Sequence, residues 1–87
     1  MKRVKKINDI LNIRLSDFTI EVSDKSYLHK GHNNFDGLGE THILINLRAK
    51  TPNKINRIKI HRYINELLID EFTNGLHSLE IKINAKK

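Results

Sequence analysis

Cysteine and tryptophan are absent from this chain of 87 residues, proline occurs once, glycine four times, and aromatic side chains make up only 6%. Without cysteine there are no disulfides, and no thiolate-based metal site can be built from this chain alone. Domains of this size often lean on such staples, so the core has to be aliphatic, and isoleucine-rich segments supply it. No apolar run approaches the roughly 18 residues of a membrane span, and no membrane association is expected. The basic start "MKRVKK" is not followed by the long apolar stretch of a secretory signal. A single cytoplasmic domain over residues 1–87 is the expectation.

Acidic residues are missing from a long middle stretch. Between Glu40 and Glu66 lie Arg48, Lys50, Lys54, Arg57, Lys59 and Arg62 with no acid among them. The formal net charge of +6 nevertheless arises at the two ends, where Lys2, Arg3, Lys5, Lys6, Lys86 and Lys87 sit. Residues 7–85 carry ten basic and ten acidic side chains and are neutral overall. Residues 1–6 therefore read as a basic N-terminal end and 84–87 as a C-terminal tail.

What remains is regularly patterned. Val4, Ile7, Ile10, Leu11 and Leu15 recur at helical spacing, which predicts a helix over 3–15. "FTIEVSD" at 18–24 alternates as a half-buried strand, and "ETHILINLR" at 40–48 as a second. The segment between them, residues 25–39, is rich in Gly and Asn and too long for an ordinary hairpin loop, which marks it as functional or mobile. "TPNK" reads as a turn into a helix, with Pro52 at a tolerated N-terminal position. Ile60, Ile64, Leu67, Leu68 and Phe72 form the stripe of the main helix. Ile55 and Ile58 fit it less well, which predicts a short helical turn before it. Asn74-Gly75 is a helix-ending signal. A last strand, 77–83, directs Leu79, Ile81 and Ile83 inward. The order α-β-β-α-(α)-β places a helical, hence parallel, crossover before that strand.

Five histidines are the remaining polar feature. His77 shares the parity of Leu79 and Ile81, and on the residues alone it reads either as a polar cap at the edge of the core or as a ligand. His29 and His32 lie in the long segment, where solvated loop polars are the ordinary reading. Two ligands on a loop are too few for a structural zinc site. His42 alternates away from the Ile43/Ile45 face and reads as structural or surface polar; His61 reads as part of a solvated helix face. Glu40 and His42 share a strand face, but no nucleophile or paired carboxylate converges with them. Enzymatic activity is not expected.

Four stretches together resemble the BolA family. "SYLHKGH" is similar to its S-x-x-H loop and G-H variant, "GETHILINL" to its E-T-H-F-x-V segment, "HRYINELLIDEF" to its R-H-R helix, and "GLHSLEIK" to its I-H-A-L strand. Residues 7–83 carry the resemblance. It implies an α+β (α/β sandwich) fold of the class II KH-like kind, α-β-β-α-α-β, with a three-stranded mixed sheet and helices on one face. It also implies a partner, a monothiol glutaredoxin of the C-G-F-S type, with which a [2Fe–2S] cluster is shared in the presence of glutathione. No cofactor is expected on the isolated chain, alone a monomer or weak homodimer. On this sequence the implied cluster ligands are His77 and one of His29 and His32. Ile60 replaces the first Arg of the helix motif, and Ala49, Pro52 and Lys54 replace a Ser, Phe and Gly before it.

A rival reading is DNA binding through Lys54, Arg57, Lys59 and Arg62, whose charges could meet phosphates. RNA recognition of the KH kind requires a G-x-x-G loop, and the chain contains none.

Overall fold

The computed structural model describes residues 2–25, 41–52 and 54–86. The helical spacing of Val4, Ile7 and Leu11 is realised in α1 (Lys2–Arg14), followed by β1 (Phe18–Asp24) and β2 (His42–Ala49). Then come α2 (Arg57–Leu67), α3 (Ile69–Thr73) and β3 (Ser78–Asn84). The strands form one sheet in the order β1-β2-β3, with β1 antiparallel and β3 parallel to β2. This is the mixed three-stranded α+β architecture expected.

The central position of β2 explains its composition. Flanked on both sides, it buries Ile43, Ile45 and Leu47 almost completely, whereas Ile20 and Val22 on β1 and Ile81 and Ile83 on β3 are half-buried. Ile7 and Leu11 from α1, Ile64 and Leu68 from the second helical segment, and Leu76 close the same core. Complete burial of each such side chain contributes about 2 kcal/mol. The opposite sheet face is polar: Thr19, Glu21, Arg48, Glu80 and Lys82 are all exposed.

Two local expectations are corrected. The short helix follows the main one instead of preceding it. Asn56 caps α2, its Oδ1 accepting the Lys59 N–H at 3.0 Å, so Pro52 lies in the connection and outside the helix. Ile58, at 71% exposure, is not a core residue. The break at Leu68 keeps its N–H bonded to the Ile64 carbonyl at 3.0 Å and its side chain fully buried. It also turns α3 so that Glu71, not Phe72, faces inward.

The basic N-terminal end is absorbed into this packing. Arg3 and Lys6 lie on the first turns of α1 and hold the two oxygens of Glu71, each at 2.8 Å. Both cations keep the Glu71 carboxyl below its ordinary value, Lys6 first, against the opposing effect of burial.

Candidate metal-ligand site

The parallel pairing of β2 and β3 brings their first residues together, with His42 opposite Ser78. Because β1 is antiparallel to β2, its last residues arrive at the same end, where the Lys25 N–H donates to the His42 carbonyl at 2.7 Å. Three backbone segments thus meet here: Asp24–Lys25, Thr41–His42 and His77–Ser78. Lys25 and Thr41 also bracket the segment containing His29 and His32. Those two residues lie outside the described residues.

His77 is placed by the turn before it. Gly75 has φ +111°, a conformation L side chains adopt at a cost. The Leu76 N–H donates to the Glu71 carbonyl at 2.8 Å, the six-to-one bond of a Schellman ending. Leu76 is buried and His77 is exposed. Leu76, not His77, therefore closes the edge of the core. The parity with Leu79 and Ile81 does not extend to His77, which precedes β3. Its N–H and that of Ser78 both donate to the Thr41 carbonyl, at 2.8 and 3.1 Å.

This arrangement brings in a second histidine. The rings of His42 and His77 meet edge to face, with centroids 5.8 Å apart and planes at 73°. His42 Nδ1 lies 3.0 Å from the Thr41 hydroxyl. When that hydroxyl accepts, the proton sits on Nδ1 and Nε2 carries the lone pair. A neutral imidazole held this way is the usual state of a metal-ligating histidine. Among the described residues, no group of three or more His, Cys, Asp or Glu could hold a metal ion. Within those residues the site holds a pair of imidazoles in contact.

The cations of the rival reading are elsewhere. Lys54, Arg57, Lys59 and Arg62 are all exposed, but they do not form one stripe. Arg57 and Lys59 are two residues, about 200°, apart around a helix. Lys59 and Arg62 line a shallow groove with Tyr63 and Glu66. Arg57 and Arg62 line another with His61 and, again, Glu66. The Arg57 guanidinium also reaches the Ile83 carbonyl at 3.4 Å.

The family described as BolA-like protein matches residues 11–87. The chain belongs to the BolA family. Protein BOLA1, chloroplastic, of Arabidopsis thaliana is 32% identical over 91% of this chain and 51% of its own length. SufE-like protein 1 of the same plant is 36% identical over 91% of this chain but only 22% of its own length. The chain thus spans about half of one relative and under a quarter of the other. Among solved structures, the BolA domain of SufE1 superposes with TM-score 0.77 at 34% identity, covering 98% of this chain and 93% of that one. BolA1 from the same plant gives 0.76 at 29% identity with the same coverage. This BolA-like chain therefore shares both sequence and fold with them. No helix among its described residues is long and apolar enough to cross a membrane.

His42 is the residue that reading the sequence left aside. The signal was present in the parallel crossover, which must set the start of "HILINL" beside the start of "SLEIKI".

Proposed function

We propose that this BolA-like chain is a non-enzymatic adaptor that docks a monothiol glutaredoxin and completes a shared [2Fe–2S] site with His77 and a second imidazole, in iron–sulfur trafficking or iron-status signalling. The observation that carries this reading is the exposed His77, fixed by backbone bonds to Thr41 at the mouth of the sheet. Its surroundings fit the role of a donated ligand. Two backbone bonds to the Thr41 carbonyl hold the segment, and the side chain is exposed. The segment holding His29 and His32 begins and ends alongside. A chain without cysteine contributes no thiolate, so a partner must bring the thiolates. Imidazole in place of thiolate removes negative charge from such a cluster and raises its potential.

The test is a titration of cluster-loaded C-G-F-S glutaredoxin, with glutathione, by wild-type chain and by His77→Ala, followed by visible circular dichroism. The expected result is a new spectrum saturating at one-to-one and lost in the variant. An unchanged spectrum with wild-type chain would reject the reading.

A further inference from the structure

We infer that the outer edge of β3 is a self-pairing surface, which joins two copies of this chain through an antiparallel β3–β3 ladder centred on Ile81. The inference does not rest on the function proposed above.

The hydrogen-bond alternation of the sheet opens this edge. β3 ends the strand order β1-β2-β3, so only one of its sides is paired. The Ser78 N–H donates to the Thr41 carbonyl of the β2 segment at 3.1 Å, and inward-bonding residues alternate along a ladder. Ser78, Glu80 and Lys82 therefore turn their backbone groups to β2, while Leu79, Ile81 and Ile83 turn theirs outward. The Arg57 guanidinium agrees with this direction, reaching the Ile83 carbonyl from outside the sheet at 3.4 Å. It takes one lone pair of that oxygen and leaves the other. Among the described residues, nothing bonds the outward N–H and C=O groups of Leu79 and Ile81. Such a row is a template for another strand.

The sequence of β3 selects that strand. Outward-turned residues must meet outward-turned residues, which restricts the registers two copies can adopt. Pairing about Glu80 sets that carboxylate against its own copy, and pairing about Lys82 does the same with the ammonium. Like charges directly opposite are destabilising. Pairing about Ile81 instead sets Glu80 opposite Lys82 of the second copy, twice, with Leu79 opposite Ile83 and Ser78 opposite Asn84. The two charged pairs fall between the hydrogen-bonded positions, where facing side chains approach most closely. Both charges are available, with side chains 63% and 60% exposed and only a 3.7 Å contact with each other along the strand. The half-buried Leu79, Ile81 and Ile83 gain cover in the same step.

The opposite edge lacks this complementarity, because β1 carries Glu21 and Asp24 and no cation. A β1–β3 contact between copies is head-to-tail and need not close, whereas β3–β3 pairing is two-fold and ends at the dimer.

The test is sedimentation equilibrium of the full chain over a wide concentration range in about 0.15 M salt, with amide exchange followed by NMR. The expected mass rises reversibly from 10.2 kDa toward twice that value. Protection at the Leu79 and Ile81 amides should rise with it, while the Ser78, Glu80 and Lys82 amides, already bonded to β2, stay unchanged. Glu80→Lys and Lys82→Glu should each weaken association roughly tenfold, and the exchanged pair Glu80→Lys/Lys82→Glu should restore it. Lys82→Glu also lowers the net charge of +6, so association limited by overall repulsion would strengthen in that variant instead. Thermal melts establish that each variant is folded. The inference is overturned if the mass stays monomeric throughout, or if the chain associates without added protection at Leu79 and Ile81. It is equally overturned if Lys82→Glu associates as tightly as wild type, or if the exchanged pair does not restore association.

Discussion

Arg3 and Glu71 join the two ends of the helical layer, Nε to Oε1 at 2.8 Å across sixty-eight residues of sequence. The arginine side chain is 13% exposed and the carboxylate 8%. Arg3 extends a second donor to the Asn74 carbonyl at 2.7 Å, so a single guanidinium ties α1 both to α3 and to the turn that leads into His77. Replacing Arg3 by Ala strands an inward-facing carboxylate with Lys6 as its remaining cation. The expected loss is about 2 kcal/mol, read as a lower urea midpoint with an unchanged slope. Lys6→Ala removes a more exposed partner and should cost less than Arg3→Ala.

The same carboxylate sets an acid limit on stability. Its folded-state pKa lies below its ordinary 4.5, with the Lys6 hydrogen bond as the leading cause. A depressed pKa means that the stabilisation is complete above the unfolded value and is lost as pH falls through the folded one. Stability should therefore decline as pH drops below about 4.5. Glu71→Gln should be less stable than wild type at neutral pH and lose less on acidification. Urea melts at several pH values check this, and parallel curves for the two proteins would contradict it.

Gly75 links the fold to the site. With φ +111°, it admits the sharp turn that buries Leu76 and releases His77 outward. A Cβ there would meet only the Arg3 guanidinium, at an ordinary 3.6 Å; the penalty is backbone strain and not crowding. Gly75→Ala is expected to cost about 1–2 kcal/mol. Displacement of the His77 ring signal relative to wild type in NMR spectra is the accompanying readout.

Against these contacts, the legibility of the sequence was uneven for physical reasons. β1 was readable to the residue because "FTIEVSD" alternates with the period of a strand lying between helices and solvent. β2 was legible to within two residues, 40–48 against His42–Ala49, because its central place demands Ile43, Ile45 and Leu47 on one face. The helical crossover was harder. Its apolar stripe continues through Leu68, and nothing in periodicity alone marks a break there. The cap at Asn56 was available as a residue type favoured at that position, but the nearby Pro52 drew the expected start too early. Glu71 was also visible in principle: an acid three residues after Leu68 and seven after Ile64 occupies the buried stripe, and such an acid requires a cation. His77 was recognised by its motif, yet its outward direction depends on the Gly75 turn, which strand parity does not contain.

His77 is exposed, and removing its ring deletes no core contact. His77→Ala should therefore melt within about 0.5 kcal/mol of wild type. This matters for every spectroscopic test at the site, because a folded variant that loses a cluster signal has lost a ligand. A large drop in melting temperature would instead assign His77 a structural role and weaken its use as the diagnostic substitution.

The cations of α2 provide the last discrimination. Arg57 and Lys59 project in different directions around the helix, each beside a groove that also contains an acid or an apolar residue. A surface that tracks phosphates depends on several cations acting together, and its affinity falls steeply with salt, by a slope near the number of phosphates neutralised. The paired substitution Arg57→Ala/Lys59→Ala should leave the one-to-one glutaredoxin spectrum intact. Duplex DNA of mixed sequence should bind wild-type chain only weakly, with no base preference once salt is raised. The opposite pattern has a clear physical meaning. Tight binding with a steep salt slope, abolished by the paired substitution and indifferent to His77→Ala, would move the functional surface from the mouth of the sheet to α2.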